Sequence, residues 1–431
     1  MDNQRVVVTG IGPIAAIGIG KKEVWNSIIK GKTGLSLQEY FIDDKKPQLF
    51  YVHKAKDFNL PDLNIDQAAL NDICAWKEEK DWKDLKYLLG VIKLALDDSK
   101  LAFEPKDSKN KIGLVLTHEN PGLDEFYQKV IDESYNLLKN GSIPKEKYFT
   151  DFFGKFQKKA YDLQTFMFIF HAAKVFGLHG YSLFINNACA SGLYALEAAA
   201  DIIKSGKCKA VIAAGVDLTS IFKLLWFKGI GMYAEDGKIK PFAKERNGFV
   251  FGEGGVGIVL ESLESAKKRK ARIYAEYLGG GFNLEGWKVT IPDVTGDSYK
   301  NTVLEALKKA KLKKEKIDLL IPHGVGTSVT DAYEAKAITD VFGKNKPKPL
   351  ITALKPYIGH NLGSCCLLET AILMLALENS FIPPTLNVKD ADPKLGIDLV
   401  TAAKKSKIKT IAKMACGFAG YNACTVFRKI N

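Results

Sequence analysis

The sequence predicts an α/β protein in which helices cover a largely parallel sheet. Continuous apolar runs recur along the chain and are typical of strands buried on both faces. Between them lie segments with apolar residues at helical spacing, and the two patterns alternate from end to end. The 431 residues are 46% hydrophobic and 26% charged, which excludes a disordered or fibrous chain.

In the first half, residues 6–9 read as a buried strand, residues 10–13 as a glycine-rich turn and residues 22–29 as an amphipathic helix. Three further elements are predicted there, namely strands at 112–117 and 210–216 and a helix at 190–204 that stops before Gly206. The aromatic and charged segment 126–156 has no clear periodicity and suits a cap rather than a core element.

The second half repeats the alternation. Its predicted elements are helices at 303–310, 331–341 and 367–377 and strands at 317–321 and 423–427. Because no low-complexity linker divides the chain, we interpret it as two related halves, residues 1–255 and 256–431.

Charge and cysteine content limit the classes of function. The net charge of +13 attracts an anionic partner or simply keeps the protein soluble, and dispersed lysines without interleaved aromatics argue against nucleic acid. The seven cysteines form no C-x-x-C pair or zinc spacing, so we expect reduced thiols and no metal. The start of the chain has no signal-peptide pattern, and the apolar run 367–377 is too short to span a bilayer, which predicts a cytoplasmic protein.

Cys189 is the first candidate for chemistry. It lies in the segment 186–192, between an apolar run and a predicted helix, among small residues that permit a tight turn. At a helix N-terminus, unpaired N–H groups and the helix dipole favour a thiolate, as a nucleophile requires. A buried cysteine acting as a small hydrophobic residue fits the same pattern.

Two histidines lie in glycine-rich turns of the second half. His323 directly follows a predicted strand, and His360 follows Lys355 and precedes the helix that carries Glu369. A carboxylate in an apolar helix needs a partner, and Lys355 is the candidate. A satisfied structural histidine and an internal ion pair without a catalytic role are the alternatives.

The segment 416–422 is a glycine loop that enters the last strand. Such a loop can present backbone N–H groups to an oxyanion, although it is also an ordinary turn between strands. A cysteine, two histidines, a lysine and this loop together suggest thioester chemistry, in which imidazoles stabilise an enolate.

In this order, these segments resemble the β-ketoacyl-(acyl carrier protein) synthase family of the thiolase superfamily. The similarity runs over residues 6–429 and includes the segments 8–12, 240–242, 246–255 and 382–387. It implies a thiolase-like fold, a duplicated five-layered α/β/α/β/α arrangement. It also implies a dimer, no cofactor, and decarboxylative condensation of an acyl thioester with a malonyl group carried on an acyl carrier protein.

The resemblance assigns a role to each candidate. Cys189 would accept the acyl chain, and His323 and His360 would promote decarboxylation and stabilise the enolate. The backbone N–H groups of Cys189 and Phe418 would form the oxyanion hole, and Phe418 would gate the site. The residues implied to support the site are Lys355, Glu369, Asp331 and Glu334.

Departures from the family pattern predict a specialised synthase. Val325 replaces a hydroxyl residue, which leaves Thr327 as the contact to the pantetheine arm, and Ala190 replaces a common serine. Cys416 and Ala419 replace phenylalanine and glycine in the gating loop. The acyl pocket is expected to be bulky because of Phe222, Trp226 and Phe227.

The lysine surplus suits an acidic carrier protein. The expected docking lysines are Lys77, Lys80, Lys83, Lys223 and Lys228. A homodimer is expected, with a heterodimer of related subunits as the alternative. The rival functions are a non-condensing chain-length-factor-like partner subunit, a synthase that only decarboxylates, and a thiolase-type enzyme.

Overall fold

The computed structural model describes residues 4–41, 46–74, 83–103, 107, 109–119, 127, 130–131, 134, 164–343 and 347–430. The strands are β1 (Val6–Ala15), β2 (Gly18–Ile19), β3 (Leu35–Tyr40), β4 (Gln48–His53), β5 (Ile112–Thr117), β6 (Ser182–Ile185), β7 (Ala210–Asp217), β8 (Gly254–Ser262), β9 (Ala275–Leu284), β10 (Leu319–Ile321), β11 (Leu350–Ile351), β12 (Phe381–Ile382), β13 (Lys404–Lys405), β14 (Thr410–Cys416) and β15 (Tyr421–Arg428).

The helices are α1 (Gly20–Ile29), α2 (Gln67–Cys74), α3 (Lys83–Ser99), α4 (Thr165–Phe176), α5 (Ser191–Lys204), α6 (Ile221–Gly229), α7 (Leu263–Lys268), α8 (Asp297–Lys309), α9 (Ser328–Phe342), α10 (Lys355–Ile358) and α11 (Leu362–Asn379). The predicted elements are present, most of them longer at one or both ends, and β5 has the predicted bounds. Most of the segment 126–156 and the lysines at 77 and 80 lie outside the described residues.

The two halves of the chain repeat one strand order. In the first half the order is β6-β5-β7-β8-β1, and in the second it is β11-β10-β14-β15-β9. In each half the first three strands of this order are parallel and the last two pair antiparallel. A short antiparallel pairing of β1 with β9, from Val6↔Tyr277 to Val8↔Ala275, joins the halves.

This repeat produces the predicted layers. On one outer face α3 packs on β1, β7 and β8, with α4 beside it, and on the other α8 packs on β9 and β15, with α9 beside it. Between the two halves, α5 contacts β7 and β15 while α11 contacts β8 and β14. The thiolase-like α/β/α/β/α fold is therefore confirmed. The predicted boundary at 255/256 lies inside β8, and from the strand order we infer a boundary between β8 and β9.

The predicted turn at residues 10–13 is wrong, because these residues continue β1. Their glycines serve packing instead of a turn. A Cβ at Gly10 would approach the carbonyl oxygen of Ala95 to 2.5 Å, and one at Gly12 would approach the backbone nitrogen of Ala95 to 2.4 Å. The missing side chains therefore let α3 lie directly on the strand.

Helix α11 is the central helix of the second half. It is long and apolar enough to cross a membrane, yet its residues are buried continuously from Leu362 to Leu377. A helix that is apolar all round and enclosed by protein is a core helix. Helix α11 begins two residues after His360, and α5 begins two residues after Cys189, so both helices start beside the site described next.

Candidate functional site

Cys189 lies in the turn between β6 and α5, two residues before the first residue of the helix, Ser191. Ser191 fixes this turn, because its Oγ accepts the N–H of Asn187 at 2.7 Å and donates to the carbonyl of Ala188 at 2.6 Å. Ala188 adopts a positive φ of 48°, which reverses the chain sharply. The turn therefore holds the thiol at the helix N-terminus, as predicted.

The expectation that the helix N-terminus gives a resting thiolate is wrong. Burial and the negative charge of Glu119 raise the pKa of the Cys189 thiol well above its usual value, and the opposing charge of Lys355 does not compensate. Desolvation therefore favours the neutral thiol at this position. The resting side chain is a neutral thiol, so it needs a neighbouring base to act as a nucleophile.

The two predicted histidines lie together in the same cavity as Cys189. His323 follows β10 and His360 follows α10, and their ring centroids are 5.2 Å apart at an interplanar angle of 82°. Burial and the charge of Lys355 lower the pKa of both imidazoles well below the usual value, and Lys413 contributes in the same direction. Both rings are therefore neutral at physiological pH and can accept a proton or donate one N–H.

Two buried carboxylates hold the turn that carries His323. Glu334 accepts the backbone N–H of His323 at 2.6 Å and that of Gly324 at 2.8 Å. Asp331 accepts the N–H of Gly326 at 3.0 Å and that of Phe242 at 2.6 Å. The two acids therefore support the histidine through its main chain.

Lys355 contacts the predicted partner beneath the histidines. Its ammonium lies 3.2 Å from Glu369 Oε1 and donates to the carbonyl of His323 at 2.5 Å, and all three residues are buried. Burial opposes the charge of Lys355, but Cys365 and Glu369 outweigh it and raise its pKa. The lysine therefore remains an ammonium inside the protein.

A second lysine, which the sequence interpretation missed, completes this cluster. Lys413 Nζ lies 2.7 Å from Glu369 Oε2, with both side chains fully buried. The signal was present in the sequence, because Lys413 is the single charged residue in the apolar strand β14. A charged group inside a buried strand requires a buried partner, as Glu369 did in α11.

The glycine loop 416–422 lies against the cysteine turn. A Cβ at Gly417 would lie 3.0 Å from the backbone nitrogen of Cys189, so a side chain there would crowd the close approach of the two segments. Phe418 stacks on Phe227 with centroids 5.7 Å apart and an angle of 17°. Ala419 has a φ of 60° and donates its N–H to the carbonyl of Val289 at 2.6 Å.

The cavity beside Cys189 is small. Its volume is about 40 Å³, enough for a few water molecules. Phe227, Phe418, Val325 and Cys416 line it along with the thiol and the two imidazoles. An acyl chain therefore requires the stacked phenylalanines to move.

A groove of about 340 Å³ shares Met232, Thr290, Ile291 and Thr330 with the walls of this cavity. Thr327 lines the groove, and its buried Oγ1 has no hydrogen-bond partner among the described residues. The groove therefore offers an approach to Cys189 with one unused hydrogen-bonding group.

The remaining predicted residues lie less close to the thiol. Trp226 is half exposed and contacts Phe418 edge-on at 6.0 Å, while Phe222 packs on Tyr127 at 5.8 Å. Neither lines the cavity of Cys189, so Phe227 is the predicted pocket residue that does.

The predicted docking lysines differ in their surroundings. Lys83 begins α3 and is partly exposed, and Lys228 is exposed and lies 3.3 Å from Glu235. The ammonium of Lys223 instead donates to the carbonyl of Leu218 at 2.9 Å. Lys228 is therefore the most accessible of the docking candidates that the structure describes.

Three polar residues at the cavity wall were not predicted. Tyr333 donates its hydroxyl proton to Glu285 at 2.8 Å and accepts from Asn422 Nδ2 at 2.9 Å. Glu285 also accepts the N–H of Asp293 at 2.8 Å. The network ties the loop after β9 to α9 and β15, and no local sequence pattern connects residues this far apart.

Two family models match the chain in succession. The model for the beta-ketoacyl synthase N-terminal domain matches residues 3–266, and that for the C-terminal domain matches residues 274–389. The chain belongs to the β-ketoacyl synthase family. The matched regions contain the Cys189 turn and both histidine turns.

Relatives match this family member from end to end. A 3-oxoacyl-[acyl-carrier-protein] synthase 2 of Coxiella burnetii is 27% identical and covers 100% of both chains. The oxytetracycline polyketide beta-ketoacyl synthase 1 of Streptomyces rimosus is also 27% identical, over 99% of this chain and 97% of its own.

Solved structures are similar over the same length. The ishigamide ketosynthase/chain length factor has a TM-score of 0.85 at 26% identity, covering 100% of both chains. A type II polyketide ketosynthase in complex with its acyl carrier protein has a TM-score of 0.81 at 26% identity, also covering 100% of both chains.

Proposed function

We propose that this β-ketoacyl synthase catalyses decarboxylative condensation of an acyl thioester with a malonyl group carried on an acyl carrier protein. The observation that carries the proposal is the shared cavity of Cys189, His323 and His360, in which a neutral thiol faces two neutral imidazoles. Family membership supports the same acyltransferase chemistry.

In the first half-reaction, Cys189 attacks the carbonyl carbon of the acyl thioester. Its proton passes to an imidazole, and the leaving carrier thiolate takes that proton from the imidazolium. The oxyanion of the tetrahedral intermediate lies between the backbone N–H groups of Cys189 and Phe418, on the two loops that meet at Gly417. The product of this step is an S-acyl cysteine.

In the second half-reaction, the malonyl thioester loses its carboxylate as CO₂ and forms an enolate. His323 and His360 donate hydrogen bonds to the enolate oxygen, which neutral imidazoles can do through their N–H groups. The enolate carbon then attacks the acyl carbonyl, the bond to sulfur breaks, and the released Cys189 thiolate takes up a proton from solvent. The acyl group and the two carbons that remain of the malonyl group are then joined in one β-ketoacyl thioester on the carrier.

The groove beside the cavity is proposed to hold the pantetheine arm of the carrier. Thr327 supplies a free hydroxyl there, whereas Val325 supplies none. The narrow cavity around Phe227 and Phe418 supports a specialised primer, and the product serves fatty acid, polyketide or specialised lipid synthesis. We place this activity in the cytoplasm, in keeping with the buried core position of α11.

A dimer is proposed through the edge formed by β6. Among the described strands β6 pairs with β5 alone, and the aromatic side chains of Phe166, Phe170 and Tyr181 beside it are 49%, 50% and 45% exposed. An open edge flanked by exposed aromatics suits an isologous contact. Light scattering is expected to give twice the 47.5 kDa chain mass, and Phe166→Asp with Phe170→Asp to give the single chain.

The control for this double substitution is Ile29→Asp, at an apolar side chain 44% exposed on α1. It is expected to remain dimeric. A wild type of single-chain mass at micromolar concentration would contradict a homodimer and direct attention to a related partner subunit.

The partner-subunit reading is the second candidate because a similar structure pairs a ketosynthase with a chain length factor. Such a subunit shapes a product without condensing. Here Cys189, both histidines and the buried Lys355 occupy one site, an arrangement that a non-condensing subunit does not require.

The test is mass spectrometry of the protein incubated first with acyl-carrier protein and then with malonyl-carrier protein. We expect an acyl adduct on Cys189, its disappearance upon malonyl addition, and a β-ketoacyl product. Cys189→Ala is expected to show neither adduct nor product, and Cys208→Ala, a buried cysteine elsewhere, to behave as wild type. Wild type without an adduct or product over a range of primers would favour the partner subunit.

A further inference from the structure

Two ammonium groups meet one carboxylate under the histidines. Glu369 lies 3.2 Å from Lys355 and 2.7 Å from Lys413, and each of the three side chains is fully buried. One lysine would already neutralise Glu369. The second adds a positive charge, which in a dry interior carries a desolvation cost that a neutral side chain of similar length would avoid.

We propose that Lys413 is a second positioning lysine of the condensing site, which with Lys355 holds the main chain that carries His323. This inference rests on the proposed function. It adds a residue that neither the motifs nor the family resemblance assigned.

The contacts of the two ammoniums are complementary. Lys413 donates to the carbonyl of Pro322 at 2.9 Å, and Lys355 donates to the carbonyl of His323 at 2.5 Å. Consecutive carbonyls are therefore held by two different lysines, from β14 and from α10. The remaining contacts of Lys413, to Glu369 and to the carbonyl of Met414 at 2.8 Å, use its other two N–H groups.

This arrangement fixes the exit of β10. Glu334 accepts the N–H groups of His323 and Gly324, while the lysines bind the carbonyls of Pro322 and His323. The main chain around His323 is thus held from both its donor and its acceptor side. The Cα of His323 is therefore held in place. The imidazole is positioned from this fixed point, as enolate stabilisation requires.

The net charge of the cluster has a second consequence. Two lysines and one glutamate sum to +1 beside the imidazoles. A positive charge disfavours imidazolium and favours the anionic enolate. Lys413 therefore helps to keep the imidazoles neutral and to stabilise the negative charge of the enolate.

Other ionisable groups also face the histidines. Deep in the site the remaining acids are Glu334 and Asp331. The ionisable groups at the cavity wall are Cys189, Cys416, Glu285, Lys288 and Tyr333. The acids accept hydrogen bonds from the main chain of the histidine loop, and the thiols are neutral because burial raises their pKa. Burial lowers the pKa of both imidazoles most, and the charges of Lys355 and Lys413 lower it further.

The test compares wild type, Lys413→Met and the double variant Lys413→Met/Glu369→Gln. Their cluster charges are +1, 0 and +1, since the single variant removes one cation and the double variant also removes the anion. Single-turnover condensation gives the rate against pH, and ¹⁵N-histidine labelling follows the titration of the imidazoles, which are two of six histidines. Circular dichroism checks folding of each variant.

In Lys413→Met we expect the condensation rate to fall by about 10- to 100-fold through loss of positioning. The acid limb of the rate profile and the titration of both histidines should move to higher pH. The double variant should return the titration toward wild type yet remain slow, because Pro322 still lacks its donor. The histidine titration thus reports the electrostatic effect of Lys413, and the condensation rate reports its positioning effect.

The control is Lys348→Met, which removes another largely buried lysine, paired with Asp398 at 2.7 Å outside the site. It should change neither the histidine titration nor the rate. An unchanged rate and titration in Lys413→Met would overturn the inference, and so would wild-type histidines that titrate near pH 6.5. If Lys413→Met does not fold, a wild-type condensation rate in the double variant overturns it, because that variant also lacks the donor to Pro322.

The titration does not depend on turnover. A wild type that makes no β-ketoacyl product would contradict the proposed function while leaving the histidine titration readable. Failure of the function and failure of this inference are therefore distinguishable.

Discussion

At the scale of single residues, burial dominates the chemistry of this site. The helix N-terminus at Cys189 predicts a low thiol pKa, yet desolvation raises it. The same desolvation keeps His323 and His360 neutral. A neutral thiol beside neutral imidazoles is a self-consistent resting state, because proton transfer between them would create two buried charges.

Burial also makes the contribution of Asp331 to the stability of the protein depend on pH. Burial raises its pKa from 3.8 to about 7, although it accepts two backbone N–H groups. Between these values the folded protein keeps the proton and the unfolded chain releases it. The contribution of Asp331 to stability is therefore complete below about pH 4 and declines as pH rises to about 7.

We expect Asp331→Asn to lack this decline. The free energy of unfolding of wild type minus that of Asp331→Asn should fall by about 4 kcal/mol from pH 4 to pH 7, and stay constant above that. Urea unfolding over this range measures the difference. Asp390→Asn, at an exposed aspartate, controls for the substitution itself, and parallel profiles of wild type and Asp331→Asn would contradict the assignment.

At the scale of secondary-structure elements, close packing of helix on strand explains glycines that the sequence presents as turn residues. Gly10 and Gly12 lie in β1, where any Cβ would meet the backbone of α3. Helix α3 in turn contacts β7 and β8 of the same half. One methyl group at this contact therefore displaces a helix that covers three strands.

Gly12→Ala is expected to destabilise the protein by about 1–3 kcal/mol, as overpacking of a close backbone contact does. The matched control is Gly229→Ala, because Gly229 ends α6 and a Cβ there would meet no atom within 4 Å. That change should be neutral or slightly stabilising. Chemical denaturation measures both, and equal stabilities of the two variants would contradict the packing account.

At the scale of the whole molecule, the net charge of +13 acts on the approach of an acidic carrier protein. Lys228 is the exposed docking candidate of α6, the helix that also presents Phe227 to the cavity. Lys228 directly follows Phe227, so its charge lies one residue from the wall of the cavity. The proposed steering therefore depends on where a lysine lies and not only on the total charge.

We expect Lys228→Glu to raise the KM for carrier-bound substrate several-fold at low salt, with the difference shrinking near physiological ionic strength. Steady-state kinetics against salt concentration measures this. Lys270→Glu makes the same change of charge at another exposed lysine, outside the site, and should have a smaller effect. Equal KM values for Lys228→Glu and wild type at low salt would contradict docking at this position.

Local patterns in the sequence determined much of this protein. Apolar runs and helical periodicity placed the main strands and helices, and the glycine-rich segments around Cys189, His323, His360 and Phe418 marked the site. These features are local in the chain, since each depends on neighbouring residues. The need to pair a buried charge also led correctly from Glu369 to Lys355.

The tertiary structure alone decided what depends on distant segments. It showed that β1 continues through its glycines, that Lys413 shares Glu369, and that Tyr333, Glu285 and Asn422 form one network. It also reversed the expected thiol pKa of Cys189, because desolvation comes from the whole surrounding shell and not from the helix that the sequence displays. Neighbouring residues specify local conformation, but burial and charge balance are properties of the packed molecule.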